Sequence, residues 1–286
     1  MTAAMWMTLA LVAVPVVLLL AITGCALDTE GIPLPPGNQP EPPPTYVATV
    51  LNTQGLAGYW RLGEDLGASE AANSATPGTW TGTYVDPVTL EMKGALEQDP
   101  DTAALFEGGY VEVSGMEPLQ GGEVTVELWM RLPTDVPEWG VLVGCYELVA
   151  FGPDTLLIAT GYRLRVRKTS ASKLEVDANF GGMPRLVTPV PEDTPPNWHH
   201  VVLTYSKALQ TAELYVDNSL LQSVSGQINL ETPQPWPLRF ATGTALNLEP
   251  MEPYEGLLDE VALYQAYLPT AEVDKHVSAA KVGPAG

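Results

Sequence analysis

The sequence predicts an all-β protein built as a two-sheet antiparallel sandwich. From Tyr46 onward, short apolar or alternating runs recur and are separated by clusters of Gly, Pro, Asn and Asp. This is the pattern of antiparallel strands joined by turns. There are fourteen such runs, more than one flat sheet accommodates, so two packed sheets are expected.

Each predicted strand is an apolar or alternating run bounded by turn-forming residues. The strands are residues 58–62, 103–106, 110–113, 124–131, 139–143, 148–151, 156–160, 162–168, 174–180, 199–206, 211–216, 220–224, 238–242 and 256–264. Helices are predicted only at 46–53 and 271–280, the second with Thr270 as N-cap and Glu272 in its first turn. Both helices are expected at the edge of the sandwich.

The N-terminal region predicts export and attachment to a membrane. Residues 3–27 carry no charge, and the apolar run ends in ITGC, residues 22–25. This ending resembles the lipobox of bacterial lipoproteins, which implies that Cys25 is lipidated and becomes the first residue of the mature chain. The preceding MTAAMWM lacks Lys and Arg, so an uncleaved membrane anchor and a cleaved soluble form are the alternatives.

A proline-rich linker at 25–45 is predicted to join this export segment, residues 1–24, to a domain at 46–282. Seven prolines fall within 33–44, a composition that favours extended polyproline II. At roughly 3.1 Å per residue, the linker would hold the domain up to about 60 Å from a membrane. If Cys25 carries lipid, Cys145 has no partner in the chain, and its apolar surroundings predict a buried, inert thiol.

The charge balance argues against nucleic acid as a partner. Asp and Glu number 34 against 13 Lys and Arg, which gives a net charge of −21. Such a surface repels phosphate backbones and anionic membrane surfaces. Apolar residues make up 45% of the chain, enough to fill a large core.

Six stretches of the chain form an ordered set of motifs. They are YVATVL with GLAGYWRLGE (46–64), LFEGGYVEV (105–113), EVTVELWMRL (123–132), NWHHVVLTY (197–205), AELYVDNSLLQS (212–223) and YEGLLDEVALYQAYLPTAEVDKHVSAA (254–280). Together they resemble the laminin G-like jelly roll, a concanavalin A-like sandwich found in many bacterial surface proteins. In the fifth stretch, Asp217-Asn218 stands where a two-residue hairpin turn needs positive φ, and Asn218 replaces the family's usual Gly.

Six of the seven tryptophans fall into two groups of three. One group lies at the centres of strand motifs, where the resemblance implies core packing, and the other flanks Gly-rich or Pro-rich loops, where stacking on sugars is the expectation. The first group is Trp60, Trp129 and Trp198, and the second is Trp80, Trp139 and Trp236.

Similar jelly rolls often hold calcium at the sandwich edge, which suggests a metal site here. The resemblance makes Asp259, in GLLDE, and Asn73, in the early loop EAANSATPG, candidate ligands. Calcium takes about six to eight oxygens, so these two side chains supply only part of a site. The alternative is that Asp259 fixes a turn.

One strand, YRLRVRK, carries the main basic cluster. Five of the 13 basic residues lie within 163–173, and the next strand presents acids on its polar face. A hairpin with a three-residue loop is predicted, with the arginines turned outward. Its cross-strand pairs would be Arg163 with Asp177, Arg165 with Glu175 and Arg167 with Lys173. Because Arg167 would face a like charge, it is the arginine predicted to meet an external anion.

The sequence lacks a complete catalytic motif. Retaining sandwich glucanases carry a signature resembling E-x-D-x-x-E, whereas Glu175 and Asp177 have no third acid. His199 and His200 are adjacent on a strand and point to opposite faces, so structural hydrogen bonds are expected of them. No G-x-S-x-G, H-E-x-x-H, P-loop or Rossmann fingerprint occurs.

These observations predict a non-catalytic binding module on the outside of a bacterial cell envelope, with a glycan or surface protein as ligand and calcium as the one suggested cofactor. The alternatives are a structural protein that makes protein–protein contacts and a glycosidase on the same fold. Exposed loop aromatics would favour a lectin, a flat apolar patch would favour assembly, and two facing carboxylates would favour a glycosidase.

Overall fold

The computed structural model describes residues 43–115, 122–132, 138–150, 156–169, 173–190, 197–230 and 236–281. Cys25 and the export segment therefore lie outside the described residues. Within the described ranges there are two helices, α1 (Tyr46–Asn52) and α2 (Thr270–Ala279). Neither has the length and hydrophobicity that a membrane-spanning helix requires.

Eighteen strands make up the rest of the regular structure. The first nine are β1 Leu56–Trp60, β2 Glu70–Ala71, β3 Gly82–Val85, β4 Val88–Lys93, β5 Thr102–Glu107, β6 Tyr110–Val113, β7 Val124–Arg131, β8 Trp139–Ala150 and β9 Leu156–Lys168. The others are β10 Leu174–Phe180, β11 Leu186–Pro189, β12 Trp198–Ser206, β13 Thr211–Val216, β14 Ser219–Ser225, β15 Leu238–Phe240, β16 Gly243–Thr244, β17 Pro250–Met251 and β18 Glu255–Tyr264.

The strands form two antiparallel sheets that pack face to face, and the predicted jelly-roll sandwich is confirmed. Sheet A has the order β14-β13-β12-β7-β18-β5-β4, with β1 also paired to β18. Sheet B has the order β11-β10-β9-β8-β15-β6-β3-β2, and β16 pairs with β17 in a separate ribbon. Some neighbouring strands, such as β7 and β18, are far apart in sequence, so the chain crosses between the two sheets before it returns to pair them.

Alternation along the strands places one set of side chains between the sheets. On β7, Val126 and Leu128 enter this interior, and on β9, Leu164 and Val166 meet them from the opposite sheet. Trp60 is also fully buried there, as predicted, and its ring lies 5.0 Å from that of Phe240, centroid to centroid. Burial of such apolar side chains is the main stabilising contribution to the fold.

The other two tryptophans predicted in the core lie elsewhere. Trp129 follows Leu128 on β7, so it points away from the interior and packs against Tyr46 of α1 with ring centroids 6.1 Å apart. Trp198 begins β12 opposite Arg131 and is only half-buried. Both residues lie on strands, as predicted. Because side chains alternate along a strand, however, Trp129 points to the outer face of sheet A.

The helices cover the outer face of sheet A, which corrects the prediction that they sit at its edge. Tyr46 and Val50 of α1 and Val273 of α2 pack on outward residues of sheet A, including Val202 and Tyr264. These strands are apolar on both faces, so the outer face needs a cover to keep it from water. The N-cap of α2 is Pro269 and not Thr270.

The predicted hairpin between β9 and β10 forms, but its register differs by two residues. Arg167 faces Glu175 and Arg165 faces Asp177, with a five-residue loop, 169–173, between the strands. A shift of two keeps every side chain on its face, so alternation alone could not distinguish the two registers. The observed one pairs opposite charges twice and avoids the predicted contact of Arg167 with Lys173.

Several strand boundaries differ from the predicted ones where the alternating pattern is interrupted. Residues 139–150 and 156–168 each form one continuous strand, because bulges at Leu142 and at Ala159, the second close to Gly161 with its φ of 83°, absorb the interruption. β2, β3, β4, β11, β16 and β17 were not predicted, since they are short and carry weak alternation. The turn at Asp217-Asn218 is confirmed, with φ of 50° and 66° and a two-residue loop.

Candidate functional site

The candidate site is a cavity of about 660 Å³ on the outer face of sheet B, called here the arginine cavity. Its volume lies in the range of roughly 300–1,000 Å³ typical of small-ligand sites. It is bounded by β8 and β9, by the loop after β10 and by β17. The lining side chains are Leu148, Leu157, Ile158, Arg163, Arg165, Asn179, Met183, Pro184, Arg185, Met251 and Glu252, together with Gly182.

Strand alternation explains why cations and apolar groups meet at this face. Tyr162, Leu164 and Val166 fill the interior, which forces Arg163 and Arg165 to the outside of the same strand. The bulge at Ala159 then brings Ile158 to the outer side, where it packs with Leu148 and Tyr146. One wall of the cavity is therefore apolar and the other is lined by guanidinium groups.

The arginines hold a network of carboxylates. Arg165 donates from Nη1 to both Glu252 oxygens at 3.0 and 3.1 Å and lies 3.4 Å from Asp177 through Nη2. Asp177 is fully buried and also accepts hydrogen bonds from Arg185. Arg163 contacts Glu252 at 3.5 Å and also lies beside the Tyr146 ring. The ionic network ties the loop at 181–185 and the β17 segment to the sheet.

Two guanidinium nitrogens of this network are left without hydrogen bonds. Arg165 is 7% exposed, and its buried Nε, like that of Arg163, has no partner among the described residues. Burial, together with the neighbouring charge of Arg165, lowers the pKa of Arg163, and burial also lowers the pKa of Arg165. Buried polar groups usually find partners, so these two nitrogens are unusual.

Trp139 and Arg167, both predicted as ligand contacts, lie at the edge of this network, which Arg167 joins through its ion pairs with Glu175 and Asp177. The guanidinium carbon of Arg165 is 4.0 Å from the Trp139 ring centroid and that of Arg167 is 5.6 Å away. Arg167 also forms an ion pair with Glu175, at 2.6 Å from Nη2. Trp139 therefore stacks on arginine, and neither residue lines the cavity itself.

Trp80 and Trp236 are not brought to the same place. Trp80 packs partly against the interior core, and its carbonyl accepts a hydrogen bond from Trp60 Nε1 at 3.0 Å. Trp236 is half-buried, and its carbonyl lies 3.8 Å from Cys145 Sγ. Cys145 is buried, as predicted. Contact of Trp80 or Trp236 with a ligand stays a prediction.

The two candidate calcium ligands have different surroundings. Asn73 Oδ1 accepts from the backbone N–H groups of Tyr59 and Ala75, both at 3.0 Å, so both of its lone pairs are used. Asp259 Oδ2 accepts from Ala95 N–H at 2.7 Å, while its buried Oδ1 has no partner among the described residues. Asp259 therefore has a coordinating oxygen to offer and Asn73 does not.

A calcium site would need more acidic groups than these two residues supply. Within the described residues no group of three or more His, Cys, Asp and Glu side chains is placed to hold a metal ion. Burial raises the pKa of Asp259 well above its ordinary value. Calcium binding at Asp259 stays a prediction.

A second polar cluster, missed by the sequence reading, lies between the helices and sheet A. Glu127 on β7 is fully buried and accepts hydrogen bonds from Tyr46 at 2.9 Å, Tyr264 at 2.8 Å and His200 Nε2 at 2.7 Å. His276 Nδ1 of α2 lies 2.9 Å from both of its oxygens. Four partners satisfy this carboxylate, so the cluster fastens the helices and is enclosed by them.

The histidines serve the structural roles expected of them. His200 meets Glu127 on the outer face, whereas His199 Nδ1 lies 2.7 Å from Asp217 Oδ2 in the hairpin turn. The two side chains point to opposite faces, as predicted. The cavity residues Arg185 and Glu252 were missed because they come from loops, where sequence gives no periodic signal.

These features define the class: a jelly-roll sandwich with one sheet face covered by helices and the other bearing a polar cavity. A family model described as the concanavalin A-like lectin/glucanases superfamily, of laminin G type, matches residues 106–274. The chain belongs to this superfamily. No curated protein matches the chain in sequence.

Solved structures with the same fold share little sequence with it. Trypanosoma rangeli sialidase in complex with sialic acid is 15% identical with a TM-score of 0.53, over 82% of this chain and 34% of the sialidase. Domain 4 of a GH43 extracellular arabinanase from Geobacillus stearothermophilus, in complex with arabinotriose, is 14% identical with a TM-score of 0.52, over 78% and 98% of the two chains. The chain thus spans about a third of the sialidase.

Proposed function

We propose that the chain is a non-catalytic carbohydrate-binding module that holds its glycan in the arginine cavity. The observation that carries the proposal is the composition of the cavity wall, apolar at Leu148, Leu157 and Ile158 and rich in donors at Arg163 and Arg165. A sugar ring presents an apolar C–H face and a rim of hydroxyl groups, which fit these two kinds of wall. The superfamily and the glycan complexes of the arabinanase domain and the sialidase agree with a carbohydrate ligand.

Among the described residues, the cavity lining holds no pair of carboxylates, and this supports binding without catalysis. Glycosidases place two carboxylates on either side of the scissile bond. Glu252 is the one carboxylate among the described lining residues, and it accepts hydrogen bonds from Arg165. Asp177 lies beneath the arginines and is inaccessible to a substrate.

An assembly role has weaker support. Within the described ranges, the exposed large apolar side chains lie in separate places, apart from the sequence neighbours Leu220 and Leu221 and the cross-strand pair Val149 and Leu157. Single exposed leucines are ordinary on soluble surfaces, whereas an interaction surface needs a contiguous patch. A protein partner therefore stays an alternative to the glycan.

A pair of matched variants tests glycan binding. Leu157 is 45% exposed on the apolar wall, and Leu209 is 65% exposed at the turn between β12 and β13. A glycan screen should identify ligands for residues 43–286. Leu157→Glu should then weaken binding at least tenfold in isothermal titration, and Leu209→Glu should not. Equal affinities of the two variants, or no glycan ligand in the screen, would contradict the proposal.

We further propose that the module is exported to a bacterial cell envelope and tethered through lipid on Cys25. The support is the sequence ITGC at the end of an apolar run. Mass spectrometry of the membrane fraction should find a lipid-modified Cys25 at the mature N-terminus. Release of Cys25→Ala into the soluble fraction is expected, and an unmodified Met1 would contradict the tether.

A further inference from the structure

We propose that the glycan carries a carboxylate, which the arginine cavity binds through the guanidinium groups of Arg163, Arg165 and Arg185. This inference rests on the proposed function and specifies the chemical class of its ligand. It follows from the charge balance of the cavity, from two orphan donors and from the position of Arg185.

The ionic network of the cavity has one positive charge more than its carboxylates neutralise. Its ion pairs, within the described residues, join four arginines to three acids. The members are Arg163, Arg165, Arg167 and Arg185 with Glu175, Asp177 and Glu252. Four cations minus three anions leaves a charge of +1, in a chain whose total charge is −21. One added carboxylate would bring the network to neutrality, and buried charges are stable when they are paired.

Arg163 carries most of the uncompensated charge. Its one ion pair, with Glu252, is 3.5 Å long, and Glu252 makes its shorter contacts with Arg165. The Arg163 side chain is only 11% exposed, so water reaches it poorly. Its guanidinium carbon lies 5.4 Å from the Tyr146 ring centroid, a contact that favours a cation but supplies no anion.

The unpartnered Nε groups point to a planar ligand. A carboxylate binds a guanidinium side-on through two parallel N–H donors, Nε and one Nη. Arg163 and Arg165 both line the cavity and both have a buried Nε without a partner among the described residues. Both donors are buried and unsatisfied, and a carboxylate that reached them would leave the contacts of Nη1 with Glu252 intact.

Arg185 provides the accessible part of the site. Its side chain is 44% exposed and lines the cavity from the loop after β10. It already contacts Asp177, which is shared with Arg165. Loss of Arg185 therefore removes a cation from the cavity while Asp177 keeps a partner, which makes this residue the suitable one to change.

The test compares sugars that differ only in the carboxylate. The probes are 3′-sialyllactose against lactose, and trigalacturonate against its carboxyl-reduced neutral form. We expect the acidic member of at least one pair to bind the wild-type protein tenfold or more tightly, with an affinity that falls as salt rises. Arg185→Gln should lose at least tenfold of that affinity. Lys275→Gln, which removes an exposed cation from α2, should lose none.

The outcomes separate this inference from the proposed function. If neutral sugars bind as tightly as their acidic partners and Leu157→Glu still abolishes binding, the carboxylate inference is overturned and the glycan-binding function stands. If a sulfated trisaccharide binds as tightly as the carboxylated one, the planar carboxylate assignment is wrong. If neither acidic nor neutral glycans bind, both proposals fail. Circular dichroism of Arg185→Gln and Lys275→Gln should be that of the wild type, and Arg163→Gln provides a second variant if Arg185→Gln is misfolded.

Discussion

Glu127 of β7 and His276 of α2 lie 2.9 Å apart, and both side chains are shielded from solvent. Burial alone would raise the pKa of Glu127 and lower that of His276. The contacts between them reverse both effects, with His200 contributing at Glu127, so that the pKa of Glu127 is lowered and that of His276 is raised. An ion pair therefore joins the C-terminal helix to the covered face of sheet A.

This pair makes stability depend on pH at both ends of its range. A raised His276 pKa contributes stability that is complete below the ordinary value of 6.5 and is lost as pH rises above it. A lowered Glu127 pKa contributes stability that is complete above 4.5 and is lost as pH falls below it. The pair should contribute most between these two values.

Urea unfolding of wild type and His276→Gln at pH 5.5 and pH 8.5 tests this. The variant should be less stable by about 2–4 kcal/mol at pH 5.5, because Glu127 loses a charged partner in a buried site. The difference should shrink at pH 8.5. A difference that is the same at both pH values would contradict the ion pair.

Trp60 should be the tryptophan whose loss most weakens the domain. It is fully buried between the sheets, so Trp60→Ala removes its burial and leaves a cavity, at a cost of about 3–5 kcal/mol. Trp198→Ala is the matched control, because Trp198 is half-buried and should cost clearly less. Equal losses in denaturant titration would mean that Trp60 does not fill the interior.

Asp259 should destabilise the protein increasingly as pH rises. Its folded-state pKa is raised by burial, so the stability of the wild type falls as pH rises from its ordinary value of 3.8 through the raised value. Asp259→Asn keeps an acceptor for Ala95 N–H and has no charge to bury. In calcium-free buffer, the free energy of unfolding of the variant, measured by urea titration, should therefore increase relative to that of the wild type from pH 4 to pH 7.5.

The same variant tests calcium. If Asp259 coordinates the ion, millimolar calcium should raise the melting temperature of the wild type and leave that of Asp259→Asn unchanged. An identical response of the two proteins to calcium and to a chelator would remove Asp259 from the list of metal ligands. Asn73→Ala is not informative here, since Asn73 holds backbone groups.

The observed register of the β9–β10 hairpin predicts a measurable coupling between Arg167 and Glu175. A double-mutant cycle with Gln at both positions should give roughly 0.2–1 kcal/mol, the usual contribution of a cross-strand charge pair. The coupling should decrease in high salt. Zero coupling at low salt would favour the register in which Arg167 faces Lys173.

Sequence alone predicted the sandwich because strand alternation and turn residues are local signals. It placed Leu164 and Val166 inside and the arginines outside, and it identified the turn at Asp217-Asn218. It could not fix the hairpin register, because a shift of two residues preserves every face. Charge pairing at Arg167 decides between the registers.

The parts that sequence missed depend on contacts between distant segments. The arginine cavity forms because Glu252 and Arg185 lie next to β9 in the fold. No residue spacing in the sequence predicts that these segments are neighbours. The covering of sheet A by the helices could have been predicted from the sequence. Val202 and Ala262 are outward yet apolar, and a strand that is apolar on both faces is buried on both.

The cover on sheet A gives the molecule a definite front and back. α1 begins at Tyr46, so the chain enters the domain on the outer side of sheet A, whereas the arginine cavity opens on the outer side of sheet B. Two packed sheets, about 10 Å apart, stand between the entry point and the arginine cavity. A fusion partner or surface coupling placed directly before Tyr46 would thus join the domain on the side opposite the arginine cavity.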